Sequence, residues 1–157
     1  MATAGLEYFS KDEIIDGKKV KVKIWDTAGQ EQYKSLTRNF YRNSNGVVIV
    51  YDVTSRKTFN TVKDWISSIS DAADKDIKII LIGNKIDLPR EVTTEEGRVM
   101  AQKFDIKFFE TSAKDNTGIS ESIKDIAINI LNTQKKNKEG IDIKDHSEVK
   151  AGACSKC

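Results

Sequence analysis

Three short stretches of this 157-residue chain carry side chains whose types and spacing suit ligand chemistry: Trp25-Asp26-Thr27-Ala28-Gly29-Gln30-Glu31, Asn84-Lys85-Ile86-Asp87 and Glu110-Thr111-Ser112-Ala113-Lys114. Asp87 is the most specific of them. A carboxylate accepts two hydrogen bonds side by side, which suits a base edge with two adjacent N–H donors such as guanine N1 and N2, and adenine has no such edge. A site built on paired bonds of this kind rejects the wrong ligand by roughly four to five powers of ten, because the mismatched polar group is left buried and unpaired. Asn-Lys-x-Asp alone is more often an ordinary polar loop. One strand before a Ser-Ala-Lys loop it carries more weight.

The elements that must position these residues follow from apolar periodicity. Leu6 and Tyr8, then Val20, Val22 and Ile24, alternate about an Asp16-Gly17 pair, which predicts a hairpin of two antiparallel strands. Unbroken apolar runs at 47–51 and 77–82 predict strands buried on both faces. Phe59, Val62, Ile66 and Ile69 form one helical stripe and Ile119, Ile123, Ile126 and Ile130 another. Trp65 reads as packing. Thr93 with Glu96 predicts a capping box opening a helix that runs to Phe104, and Phe108 and Phe109 a last short strand. The expected architecture is an α/β domain over residues 1–131, an open sheet with helices on both faces and ligands at its strand ends. From about Asn132 the apolar period stops, so 132–157 reads as a flexible, solvated tail.

Composition narrows the function. With 38% hydrophobic and 32% charged residues, the length suits one domain. No run of eighteen apolar residues occurs and 1–10 has no signal-peptide pattern, so synthesis in the cytosol is expected. From Lys135 onward six lysines oppose Glu139, Asp142, Asp145 and Glu148, a surplus of two that equals the whole chain's +2. A neutral body argues against nucleic acid as a partner. Cys154 and Cys157 both lie in the last four residues, which excludes a disulfide framework. A zinc or redox reading of this C-x-x-C lacks a second ligand pair, and the one histidine, His146, lies in the tail.

Taken together, the three stretches resemble those of a small GTPase, and Tyr51-Asp52-Val53-Thr54 with Phe40-Tyr41-Arg42 makes the chain similar to the Rab family. The resemblance covers about 3–131 and resumes at the terminal cysteines. It implies GTP and GDP as ligands with Mg²⁺. Asn84 braces the base-reading loop, the stem of Lys85 covers the base, and Ser112, Ala113 and Lys114 form the second loop, the Ala113 amide meeting the guanine carbonyl. Asp26 holds Mg²⁺, usually through water, Gly29 senses the terminal phosphate, and Gln30 orients the attacking water as the catalytic residue, a role for which Ras is the general template. Thr3 falls at the Mg²⁺-binding switch threonine, although Ala4 stands where isoleucine is usual. Tyr8, Trp25, Phe40 and Tyr41 correspond to a surface read by effectors; as isolated aromatics such residues are more often core. Cys154 and Cys157 correspond to lipid acceptors, and two lipid chains anchor stably where one does not. The ending Ser155-Lys156-Cys157 departs from the usual aliphatic box. The implied protein is a monomer that meets effectors, an exchange factor, a GTPase-activating protein and the prenylation machinery while cycling from cytoplasm to the cytosolic face of endomembranes.

One departure is large. A phosphate loop needs G-x-x-x-x-G-K-[ST], and no two of the nine glycines (5, 17, 29, 46, 83, 97, 118, 140 and 152) have that spacing. In the family this loop, the strand before it and the helix after it precede the point where this chain begins. At roughly −0.3 to −0.5 kcal/mol per atom over about eleven atoms, base contacts alone supply about −3 to −5 kcal/mol, a millimolar affinity or weaker. The absent strand is interior by resemblance, so two unpaired ladders and an uncovered apolar face are expected. Three readings stay open: a GTP-hydrolysing switch of membrane traffic, a nucleotide-free module competing for Rab partners, and a piece of a longer GTPase.

Overall fold

The computed structural model describes residues 7–28, 41, 44–73, 76–138 and 148–155. The hairpin forms as its turn chemistry requires: β1 (Glu7–Ile15) and β2 (Lys18–Ala28) pair antiparallel from Glu7 opposite Asp26 to Ile15 opposite Lys18. Asp16 and Gly17 both have positive φ, 50° and 72°, the mirror-image turn that matches the strands' own twist.

Strands β3 (Gly46–Asp52), β4 (Lys78–Asn84) and β5 (Lys107–Thr111) are parallel. Their continuous apolar runs reflect cover on both faces. Val47, Ile49, Tyr51 and Leu81 pack with Phe59, Val62, Ile66, Ile69 and Met100, contributed by α1 (Arg56–Asn60), α2 (Val62–Ala72) and α3 (Thr94–Lys103). Val48, Ile80 and Ile82 pack on the other face with Ile126, Ala127 and Ile130 of α4 (Ile119–Lys138), beside Ile15, Val20 and Val22 of the hairpin. Helices on both faces are thus observed, and Trp65 packs against the first cluster.

The stripe expected as one helix is divided at Thr61, where hydroxyls bond back to the backbone: Thr58 Oγ1 donates to the Ser55 carbonyl and Thr61 Oγ1 to that of Thr58. The Thr93–Glu96 capping box closes in both directions. Helix α4 continues six residues past Asn132, with Lys135 3.6 Å from Asp16.

The tail departs from the expectation of a solvated segment. Residues Glu148–Ser155 form β6, which lies between β2 and β3 and parallel to both, giving the sheet order β1-β2-β6-β3-β4-β5. The two ladders expected to be open are therefore paired with the chain's own tail. Composition misled because this strand is made of small and polar residues, whereas ladder pairing uses backbone groups that every non-proline residue carries.

Tyr51 is fully buried, its hydroxyl has no hydrogen-bond partner among the described residues, and burial raises its pKa. Tyr51→Phe is expected to be neutral or to stabilise by up to about 1 kcal/mol, seen as an unchanged or higher Tm; a clear fall in Tm would reveal a bond that this hydroxyl makes. Arg56 hydrogen-bonds Glu96 and, with the Thr93 amide and hydroxyl behind it, holds that carboxyl down to about 2 from its ordinary 4.5. A lowered folded-state pKa contributes stability that is complete above pH 4.5 and lost as pH falls towards about 2. Glu96→Gln should flatten the acid limb of Tm against pH in that window, modestly because the pair is about 40% exposed.

Candidate functional site

Register places Asp52, Asn84 and Thr111 side by side, each the last residue of its parallel strand. This carboxyl edge is where loops of an open α/β sheet converge on ligands. Asn84 Oδ1 accepts from Thr111 Oγ1 at 3.1 Å and from the Ala113 amide at 3.2 Å, while the Ile86 amide donates to the Thr111 carbonyl at 3.2 Å. One amide side chain thereby ties the 84–87 loop to the 111–114 loop.

Asp87 lies on this bridge. Its Oδ1 accepts from Ser112 Oγ at 2.7 Å, its Oδ2 is 3.9 Å from Lys114 Nζ, and its side chain is only 10% exposed. A carboxylate has about four acceptor positions. One hydroxyl and one distant ammonium leave room for two further donors, so Asp87 fits a base edge of the guanine kind. Ser112 also receives the Asp115 amide on its hydroxyl, and its backbone pairs both ways with Thr117. Gly118 closes that loop at φ 72°, where a Cβ would stand 2.4 Å from the Glu110 carbonyl.

Lys85 holds a left-handed backbone, φ 68°, and its ammonium lies 2.6 Å from Asp52. Burial alone would raise the Asp52 carboxyl, but Lys85 and the Thr54 hydroxyl and amide outweigh it and hold the pKa below the ordinary value. Asp52 and Thr111 went unselected from sequence, although both fall within quoted motifs; their place at strand ends was the available signal.

The structure thus brings together Asn84, Lys85, Asp87, Ser112, Ala113 and Lys114. Asp26 stands on β2, separated from β4 by β6 and β3, and register sets it level with Ala153 and Val48. No group of three or more His, Cys, Asp or Glu side chains able to hold a metal converges among the described residues. Mg²⁺ keeps several waters and takes one or two carboxylates plus phosphate oxygens, a role that the Asp26 carboxylate would fit. Thr3, Gly29, Gln30, Phe40 and Cys157 lie outside the described residues.

Of the four aromatics expected at a partner surface, Tyr8 is 56% exposed and its ring lies 5.0 Å from that of half-buried Trp25. Tyr41 is instead buried in the first core cluster. The surface reading therefore narrows to Tyr8 and Trp25 among the described residues. No described helix is long and apolar enough to cross a membrane.

The loops at the strand ends and the two-faced parallel sheet define an open α/β domain, and the Ras family matches residues 1–132. The chain belongs to the Ras family of small GTPases, in its Rab branch. It is 39% identical to Ras-related protein Rab-8B of Pongo abelii over 133 residues, 83% of this chain and 64% of that protein. It is 38% identical to Ras-related protein RAB1BV of Beta vulgaris over 168 residues, 100% of this chain and 78% of that protein. GTP-binding protein yptV2 of Volvox carteri is 40% identical over 134 residues, 83% of this chain and 62% of its own length. The chain thus spans less than two thirds of two of these relatives.

Asn84→Ala removes an acceptor shared by two donors. It is expected to cost about 1–3 kcal/mol and to raise amide exchange at Ala113 above that of the strand interiors; unchanged exchange at Ala113 would mean that the two loops are held together by other contacts.

Proposed function

We propose that this chain is a Rab-type guanine-nucleotide switch in membrane traffic. The observation that carries the reading is the Asp87 carboxylate, held by Ser112 at 2.7 Å with acceptor positions left over, on a loop locked by Asn84. Asp87 reads the N1 and N2 donors of guanine, the stem of Lys85 covers the base, and Lys114 flanks the second loop. Mg²⁺, when bound, neutralises phosphate charge, with Asp26 and Thr3 as its protein ligands. Gly29 senses the terminal phosphate. Gln30 orients water for hydrolysis of GTP to GDP, as in the general template for these enzymes. Effectors, an exchange factor and a GTPase-activating protein read the switch, and lipids on Cys154 and Cys157 hold it to the cytosolic face of endomembranes.

Asp87→Asn tests the base assignment. Xanthine carries a carbonyl where guanine carries the N2 amino group, so an amide donor in place of the carboxylate oxygen should shift preference from GTP towards XTP by at least about tenfold, read by titration with fluorescent analogues in Mg²⁺. An unchanged ratio would remove Asp87 from base recognition. Gln30→Leu should leave binding in place and slow hydrolysis. A second reading, a nucleotide-free module competing for Rab partners, draws on the exposed Tyr8 stacked near Trp25. It predicts capture of Rab effectors without nucleotide, lost in Trp25→Ala.

A further inference from the structure

Among the described residues, strand β6 joins the β1-β2 hairpin to the β3-β4-β5 block within the sheet. It pairs with β2 from Lys21 opposite Glu148 to Ala28 opposite Ser155, and with β3 from Gly46 opposite Ala151 to Val50 opposite Ser155. Cys154 is thus held at both edges, by Thr27 and by Ile49.

The occupant is unusual for its place. Strands buried within parallel sheets read as Val, Ile and Leu runs, as β3 (Gly-Val-Val-Ile-Val-Tyr-Asp) and β4 (Lys-Ile-Ile-Leu-Ile-Gly-Asn) do. β6 reads Glu-Val-Lys-Ala-Gly-Ala-Cys-Ser, with one large aliphatic residue in eight. A sequence of this kind offers little apolar surface to bury, and the net worth per bond of its two backbone ladders is small. Only residues 139–147 join it to α4, so leaving the slot disturbs no other described element's own chain.

We propose that β6 is a reversible plug: inserted, it completes the sheet and withholds Cys154 from lipid attachment; released, it presents Cys154 and opens the slot between β2 and β3. Attachment requires the Cys154 thiolate to attack C1 of an allylic prenyl diphosphate, forming the C–S bond as the C–O bond breaks, with diphosphate leaving on the electron pair and the thiol proton passing to solvent. A transferase must receive the last residues as free extended chain. A backbone paired on both sides cannot be so received, and insertion and lipidation exclude each other. This rests on the reading of Cys154 as a lipid acceptor, whereas insertion itself does not.

Alkylation separates the two. The full chain, folded and monomeric, is pulsed with iodoacetamide and cut with trypsin, which releases Cys154 in its own peptide, 151–156. Cys154 should react at least about tenfold more slowly than in the same chain in urea. Ala151→Pro removes an amide from a residue paired with both Ile24 and Gly46. It should restore fast alkylation and raise amide exchange in both 20–27 and 47–50. Native Cys154 reacting as fast as unfolded Cys154 overturns the plug, and this needs no variant to fold. Protection that disappears on dilution, with a dimer at higher concentration, overturns it in favour of exchange with a second copy. With slow alkylation established, prenyl transfer from a purified transferase that is faster on Ala151→Pro supports mutual exclusion. Equal transfer to Cys154 in both proteins refutes it while leaving the insertion in place.

Discussion

A strand in the interior of a parallel sheet must find hydrogen-bond partners on both edges, and in this protein that requirement is concentrated between β2 and β3. The hairpin supplies one open edge and the β3-β4-β5 block another. Neither can close on the other directly, since β2 and β3 are not neighbours. The price of a buried unpaired ladder rises with every residue along it, so a strand of modest composition suffices to fill the gap. Val22 and Val48, which belong to one core cluster, lie on the two strands that β6 separates, so the continuity of that core depends on the pairing between them.

The base-reading edge depends on the sheet differently. Asp52, Asn84 and Thr111 owe their alignment to the β3-β4-β5 register alone. Their polar groups then satisfy one another: Lys85 pairs with Asp52, Asn84 gathers donors from Thr111 and Ala113, and Ser112 donates to Asp87. Such networks hold a site in one geometry when every member is satisfied. The Ala113 amide, which the family resemblance directs at a base carbonyl, is directed in this structure at Asn84. Engagement of a base there involves an exchange of one hydrogen bond for another, with correspondingly small net gain. On the proposed reading, specificity at this edge would come mainly from Asp87.

Much of this was legible in the sequence because the signals were local. Asp16-Gly17 dictates a turn with two positive φ values, Thr93 and Glu96 satisfy each other three residues apart, and the runs at 47–51 and 77–82 announce strands covered on both faces. Asn84 and Asp87 could be paired with Ser112 and Ala113 because motif order along the chain matches strand order across that part of the sheet. What escaped was non-local. β6 carries no hydrophobic signature, and its place follows from two ladders far away in sequence. Tyr41 could be read as surface or core, and burial among Val47, Ile49 and Phe59 decided it. Asp52 could not be recognised as the partner of Lys85 until β3 and β4 were set in register.

The same pairing that holds β6 also positions the strand that carries Asp26. Asp26 is held on one side by Glu7 of β1 and on the other by Ala153 of β6, and Ala153 is in turn level with Val48 of β3. The position of Asp26 relative to Asp52 and Asn84 is thus set by β6 within the sheet and by the packing of hairpin residues Val20 and Val22 with Ile126 and Ile130 of α4. A change in β6 acts on both halves at once, since among the described residues it is the strand that pairs with each. Release of β6, as proposed, would leave the Asp26 strand with its β1 ladder and without its β6 ladder.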